Sequence, residues 1–235
     1  MLIQAVAWCV SSLALAGFVQ GALGFGFGMV AMALLPLAIS VKEASPVVVL
    51  LTLPVVIAGF CAHGRHFRWR DGWMLIVGTC LGTPLGVYLL AVAPGEVLMR
   101  LLGGVLLLFA AQELCGARRV LALPRWTGIP VGVLGGALSG AFNSGGPPMV
   151  AYVYAQSWRK EKVVAVLQIA FAVGAALRLA TMLRGGLFTA PVWHISLWAA
   201  LPVFGTLLLG TQLLRRMPTE KLRSGVFLFI GAIAL

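Results

Sequence analysis

Acidic residues are almost missing from this chain: 6 of its 235 residues are Asp or Glu, against 17 Lys and Arg. Charge of either sign makes up only 10% of the sequence, where an ordinary soluble domain carries about 25%. So few ionic groups cannot solvate a globular surface when 61% of the residues are hydrophobic and the mean hydropathy is +1.03. The charges are missing in blocks. Residues 1–41 and 126–158 contain none, and 44–62, 74–95, 101–112, 163–177 and 185–214 are also free of them. Uncharged apolar runs of about 20 residues are what a hydrocarbon layer roughly 30 Å thick requires of a helix. Such segments use up nearly the whole chain, which excludes a sizeable soluble domain.

Other absences narrow the chemistry. The cysteines Cys9, Cys61, Cys80 and Cys115 are scattered in apolar context, with no CxxC pair and no Cys/His cluster, so neither a metal site nor a cofactor is expected. No HExxH, no Ser/His/Asp set and no paired mid-membrane aspartates occur, which opposes an enzyme. The N-terminus lacks a basic flank and its apolar pattern continues to residue 40, which predicts a first span rather than a cleaved signal. The net charge of +11 sits mainly in short loops, where it orients a membrane protein and meets lipid headgroups, so nucleic acid is not an expected partner.

The pattern predicts an all-α polytopic membrane protein of about ten segments: 2–19, 22–40, 45–62, 73–92, 97–114, 126–142, 145–157, 163–183, 191–213 and 219–235. Loop 63–70 carries Arg65, Arg68 and Arg70; loop 115–125 carries Arg118, Arg119 and Arg125; loop 158–162 carries Arg159, Lys160 and Lys162; loop 214–223 carries Arg215, Arg216, Lys221 and Arg223. Arginine and lysine excess marks the cytoplasmic side. All four loops share that side only if 1–40 and 126–158 each enter and leave the membrane, which puts both termini in the periplasm. Segment 145–157 and its neighbour 126–142 are short for full crossings, so each Gly-rich pair is either two crossings or a re-entrant hairpin. Irregular backbone at that depth must line a cavity or be buried in protein.

The chain also repeats. Residues 20–28 read QGALGFGFG and 139–147 read SGAFNSGGP, each a polar residue, Gly-Ala, a large apolar residue and a Gly-rich turn. Lys42-Glu43 and Lys160-Glu161 follow them, and Pro94-Gly95-Glu96 matches Pro218-Thr219-Glu220. The expected organisation is a first repeat at 1–115, a basic cytoplasmic linker at 116–125 and a second repeat at 126–235. Five segments per half is an odd number, so the second half is inverted. Gly-interrupted segments at matching places in inverted halves point to a transporter site near the midplane.

Glycines at a helix break let an anion approach the N–H groups and positive dipole of the next half-helix. The candidate substrate-binding residues are therefore Gln20, Gly24, Gly26 and Gly28 in the first turn, and Ser139, Asn143, Ser144, Gly145 and Gly146 in the second. The competing reading is helix packing, because Gly17/Gly21, Gly24/Gly28 and Gly132/Gly136 have the small-xxx-small spacing. Arg178 lies within an apolar span and is either a substrate contact or a side chain that snorkels beside Arg184. Gln168, Thr52 and His194 are weaker candidates, and His194 sits beside Trp193 and Trp198 in an expected aromatic belt. All six carboxylates fall at or near span ends, so a cation would find no counter-charge at mid-membrane. The expected partners are a small anionic substrate and the lipid bilayer, with a homodimer allowed. An anion channel and a carrier of a non-sulfur carboxylate are the alternatives.

At these turns the sequence resembles the sulfite exporter TauE/SafE family, also called the four-toluene-sulfonate uptake permeases. The resemblance rests on Gln20 with the Gly24–Gly28 run, the Lys42–Ser45 start of the next span, and Ser139-Gly140 with Gly145-Gly146-Pro147. It covers essentially the whole chain. It implies an inner-membrane carrier of sulfur-containing anions such as sulfite, sulfonates or sulfoacetate.

Overall fold

The computed structural model describes residues 2–23, 26–114, 123–156 and 158–214, whose regular structure is entirely helical. Nine α-helices follow one another among these residues. They are α1 (Leu2–Leu23), α2 (Phe27–Leu34), α3 (Val41–His63), α4 (Trp69–Val92), α5 (Gly95–Leu114), α6 (Gly128–Phe142), α7 (Gly146–Ala155), α8 (Lys160–Arg184) and α9 (Ala190–Leu214). The first nine expected segments are each a helix; the tenth, 219–235, lies outside the described residues, as does 116–122 of the linker. Stretches of α1, α4, α8 and α9 are long and apolar enough to cross a membrane.

Helix starts differ from the hydropathy boundaries for an electrostatic reason. The fourth helix begins at Trp69 rather than 73, and the eighth at Lys160 rather than 163. Hydropathy stops at a charge, but a carboxylate in the first turn is favoured by the helix dipole. Asp71, Glu96 and Glu161 occupy such first turns. Glu43 closes a capping box at the start of α3: its Oε2 accepts from Ser40 N (3.2 Å) and Oγ (2.8 Å), while its own N–H donates to Ser40 Oγ (3.2 Å). Glu113 lies in the last turn of α5. Among the described residues, then, no carboxylate sits along the interior of a helix.

The helices divide into two compact units that interleave the chain's halves. One holds α1, α2, the start of α3, α5 and α9; the other holds the rest of α3, from Thr52, with α4, α6, α7 and α8. In the second unit α4 and α6 run parallel, backbone against backbone. A β-carbon on Gly78 would come within 2.8 Å of Gly132 Cα, one on Gly82 within 2.9 Å of Ala137 N, and one on Gly86 within 2.8 Å of Ala141 N. The contacts climb both helices together, a small-residue seam of the kind that lets membrane helices approach closely. The eighth helix runs the same way along α4, since Gly72 faces Val166 and Gly174 faces Thr79. The seventh turns back along α6: Gly135 lies against Met149, and Gly128 against Tyr152. With 15 and 10 residues, α6 and α7 extend roughly 22 and 15 Å at 1.5 Å per residue, short of the roughly 30 Å layer. They form a hairpin that returns to the end from which it rose.

That end is fastened by polar contacts. Tyr152 Oη donates to Arg125 O (2.9 Å) and Gln156 Nε2 to Leu123 O (2.9 Å). Asp71 accepts Lys162 Nζ at 2.7 Å, with Arg125 at 4.0 Å. The carboxylate side chain is only 9% exposed and that of Lys162 26%, so this pair is screened less than a surface one. Asp71→Asn is expected to cost about 1–3 kcal/mol, read as a lower thermal midpoint in detergent. An Asp71→Asn protein as stable as wild type would show the pair to be ornamental.

The first unit repeats this construction. Gly17 and Gly21 of α1 face α9, and Gly210 of α9 faces Ala22 N at 2.9 Å from where its β-carbon would lie. Thr206 Oγ1 donates across the seam to Ala14 O (2.7 Å). The second helix folds back along α1, with Trp8 Nε1 donating to Leu34 O (3.1 Å). In both units the long helix beside the hairpin carries an internal proline, Pro84 in α4 and Pro202 in α9. Those helices turn large apolar side chains outward: Leu81, Leu85 and Tyr88 on α4, and Leu197, Trp198 and Leu201 on α9. A face of that composition suits lipid.

Candidate functional site

The two Gly-rich turns are the tips of the two hairpins, one in each unit. In the first, α1 continues through Gln20 to Leu23, so the break is narrower than the sequence pattern suggests. Gly26 caps α2 in the left-handed conformation (φ 104°), which glycine adopts without a β-carbon penalty. Gln20 is buried and its Oε1 accepts the Phe27 N–H at 3.0 Å. Its amide is thus a cap across the turn, satisfying a donor that the start of α2 would leave open. Gly28 is buried in the first turn of α2. Gly24 lies outside the described residues.

Gln20→Leu removes this acceptor while keeping the bulk. It is expected to cost about 1–2 kcal/mol, the usual size of a lost N-terminal cap, and thermal unfolding in detergent reads it. Gln20→Glu keeps an acceptor at the same reach and should unfold less readily than Gln20→Leu. Equal loss in both variants would count against the cap.

In the second turn, Asn143 ends α6 with φ 55° and ψ 18°, the left-handed cap position. Its N–H donates to Ser139 O (2.9 Å), the 5→1 bond of a left-handed helix cap, and Ser144 N–H reaches back to Leu138 O (3.4 Å). Asparagine tolerates this backbone better than other non-glycine residues. Its side-chain Nδ2 is buried without a hydrogen-bond partner, and an open buried donor is costly unless something occupies it. Ser144 is fully buried, and its hydroxyl donates to Phe142 O at 3.0 Å. Gly145 sits against Ser139 Oγ and Gly135 O, so closely that no side chain fits there. Ser139, Asn143, Ser144, Gly145 and Gly146 therefore form one compact tip. Pro147 and Pro148 lack N–H groups, so Gly145 and Gly146 supply the amides nearest the start of α7.

Arg178 lies on α8 one turn beyond Gly174, whose β-carbon position is 3.1 Å from Thr79 Cγ2. Because α8, α4 and α6 run parallel and Gly140 lies opposite Val87, register places Arg178 near the level of the α6–α7 tip. Its side chain is 1% exposed and is the largest fully buried one among the described residues. Snorkelling beside Arg184 is therefore not what this residue does. Gln168, on the same helix, is buried with Oε1 unpartnered. His194 is exposed beside Trp193 and Trp198, also exposed, as an interfacial position would be.

Packing claims several of the sequence's glycines. Gly17, Gly21, Gly132 and Gly136 are seam residues, not site residues. The α4 glycines of the α4–α6 seam, Gly78, Gly82 and Gly86, went unread in the sequence, although a glycine at every fourth position signals a close-packed face.

Long apolar helices, paired short hairpins and outward leucine faces define a polytopic membrane protein whose polar groups are turned inward. The chain belongs to the sulfite exporter TauE/SafE family, whose pattern matches residues 9–235. It is accordingly a multi-pass membrane transporter and not an enzyme. A similar protein is the "Probable sulfite/organosulfonate exporter TauE" of Cupriavidus necator, 29% identical over 231 residues, covering 92% of this chain and 88% of that one. Another is the "Probable inner membrane transporter protein TsaS" of Comamonas testosteroni, 24% identical over 190 residues and covering 80% of each chain. No solved structure matches the chain.

Proposed function

We propose that this protein is a secondary transporter that moves a small organosulfur anion, of the sulfite, sulfonate or sulfoacetate class, across the bacterial inner membrane. The observation that carries the proposal is the matched pair of hairpins. The helix after each tip starts at Phe27 and at Gly146, 119 residues apart, and the next long helix starts at Val41 and at Lys160, again 119 apart. Each hairpin packs through small residues against a proline-bearing long helix taken from the other half of the chain. This supports ten segments in two inverted five-segment repeats, with the α6–α7 hairpin re-entrant. Helix tips at membrane depth are tolerable only where they are buried or line a cavity, and in transporters of this construction the cavity holds the substrate.

An anion fits the inventory better than a cation. The described carboxylates all lie at helix ends, while Asn143 Nδ2, the Gly145 and Gly146 amides and Arg178 are donors. Gln20, Gly24, Gly26 and Gly28 at one tip, and Ser139, Asn143, Ser144, Gly145 and Gly146 at the other, are the proposed substrate-binding residues, joined by Arg178. The basic loops support a cytoplasmic base for the α6–α7 hairpin, a periplasmic base for the α1–α2 hairpin and both termini in the periplasm. Sulfur as the class of anion follows the names of the similar proteins.

The test is uptake into proteoliposomes of sulfite, thiosulfate, sulfoacetate, taurine and lactate. Saturable uptake of one or more sulfur anions is expected, and preference for lactate would replace sulfur by carboxylate. A sustained, unsaturable conductance in planar bilayers would make the protein a channel. Asn143→Gly keeps the left-handed turn and removes only the amide. It is expected to retain the wild-type thermal midpoint and lose at least about tenfold in uptake, the worth of one buried hydrogen bond. Asn143→Ala should add about 1–2 kcal/mol of backbone strain. Wild-type uptake by Asn143→Gly would remove this amide from the site.

A further inference from the structure

The second unit carries a cavity of about 720 Å³ away from the hairpin tip, at the end where α4, α6 and α8 begin. Arg65, His66, Arg68, Trp158, Arg159 and Lys162 line it, and Glu161 is its one carboxylate. Lys162 is already committed: its Nζ lies 2.7 Å from Asp71 and 4.6 Å from the centre of the Trp158 ring. Arg65, Arg68 and Arg159 form no ion pair among the described residues. His66 Nδ1 is buried without a hydrogen-bond partner. The three parallel helices add to the charge, because each directs the positive end of its dipole toward this end of the unit. Cations on low-dielectric walls focus the field into a concave site, and the volume falls within the range of small-ligand pockets, about 300–1,000 Å³.

We infer that this basin is a binding site for a tetrahedral oxoanion, separate from the tips. Arginine forks match the planar edge of a sulfonate, sulfate or phosphate oxygen pair, which a lysine point charge does not. The pairing of Lys162 with Asp71 and Trp158 holds one wall in place and leaves the three arginines for the ligand. The same group could reach the basin on a dissolved anion or on a phospholipid headgroup. Binding at this basin does not require transport, so its failure and the failure of the carrier reading are told apart.

The probe is inorganic sulfate, titrated calorimetrically into the full-length protein in lipid-free detergent at low and at 150 mM salt. Saturable binding to one site is expected, weaker at the higher salt. The triple variant Arg65→Gln/Arg68→Gln/Arg159→Gln should bind at least about tenfold more weakly. Arg100→Gln, on α5 of the other unit, is the control and should bind as wild type does. The triple Arg→Lys variant keeps the charge, and an intermediate affinity from it would separate fork geometry from bulk field. If sulfate does not bind, retention of phosphatidylglycerol through delipidation, read by native mass spectrometry, decides the source. Lipid retained by wild type and lost from the Gln variant places the oxoanion on a headgroup. Equal sulfate binding in wild type and the Gln variant overturns the site, as does the absence of both sulfate and retained lipid.

Discussion

A Gly82→Val chain is expected to lose the folded protein in detergent, giving aggregate in place of a monodisperse peak. Gly82 is at the middle of the α4–α6 seam, where a β-carbon would run into the Val133 carbonyl and stop 2.9 Å from Ala137 N. Both are backbone atoms of a regular helix and cannot rotate away as a side chain end would. The helices must separate instead, and separation also weakens the contacts at Gly78, Gly86, Gly132, Gly136 and Gly140. Extra methylenes in a well-packed core cost about 1–3 kcal/mol where the surroundings can yield; here they cannot. Gly82→Ala should therefore fall at or above the top of that range and Gly82→Val beyond it, a large part of the 5–15 kcal/mol typical of a whole domain. Gly104 on α5 has nothing within 4 Å of its β-carbon position. Gly104→Ala should leave the midpoint unchanged or raise it slightly, since alanine favours helix by about 1 kcal/mol. Equal midpoints for Gly82→Val and Gly104→Ala would show that the seam does not hold this unit together.

The same seam marks what was legible in the sequence. The nine described helices overlap the first nine segments expected from hydropathy, because a span must be long and uncharged, although their ends shift where a charge begins a helix. The choice of partners was not legible. Nothing in the period of an apolar helix says that α6 will lie on α4 and α1 on α9, each pairing an element of one half with one of the other. The information resides in glycine spacing, which α4 shows at residues 78, 82 and 86 and which gives a face without naming its mate. Glu43 illustrates the converse: Ser40-x-x-Glu43 is a capping box readable from the sequence, yet beside Lys42 it reads as a boundary charge.

The turns were found by their glycines, but their workings were not. Gln20, proposed at the substrate turn, also caps the Phe27 N–H, a role visible only once α1 is seen to continue past it. Asn143 was expected to offer an amide, and it also supplies the left-handed cap that ends α6, so one residue shapes the tip and leaves a donor open inside it. The run Gly146-Pro147-Pro148 begins a helix with few N–H groups. This moves the proposed anion contacts from the helix end as a whole to Gly145, Gly146 and the Asn143 amide.

Arg178→Met is expected to fold and to transport poorly. Methionine fills much of the buried volume and removes the cost of keeping a charge out of water. The group that Arg178 engages in the folded protein loses its partner, at a cost of about 1–3 kcal/mol, which thermal unfolding would show as a modest drop. A charge-assisted hydrogen bond to an anion contributes about 1.5–3 kcal/mol, so uptake of the accepted anion should fall roughly tenfold to a hundredfold. Arg178→Lys separates the two roles. It keeps the charge at the level of the α6–α7 tip but not the fork, and should recover part of the uptake while folding no better than Arg178→Met. Wild-type uptake by Arg178→Met, at whatever stability, would make Arg178 a structural cation and leave Asn143 and the glycine amides as the donors of the site.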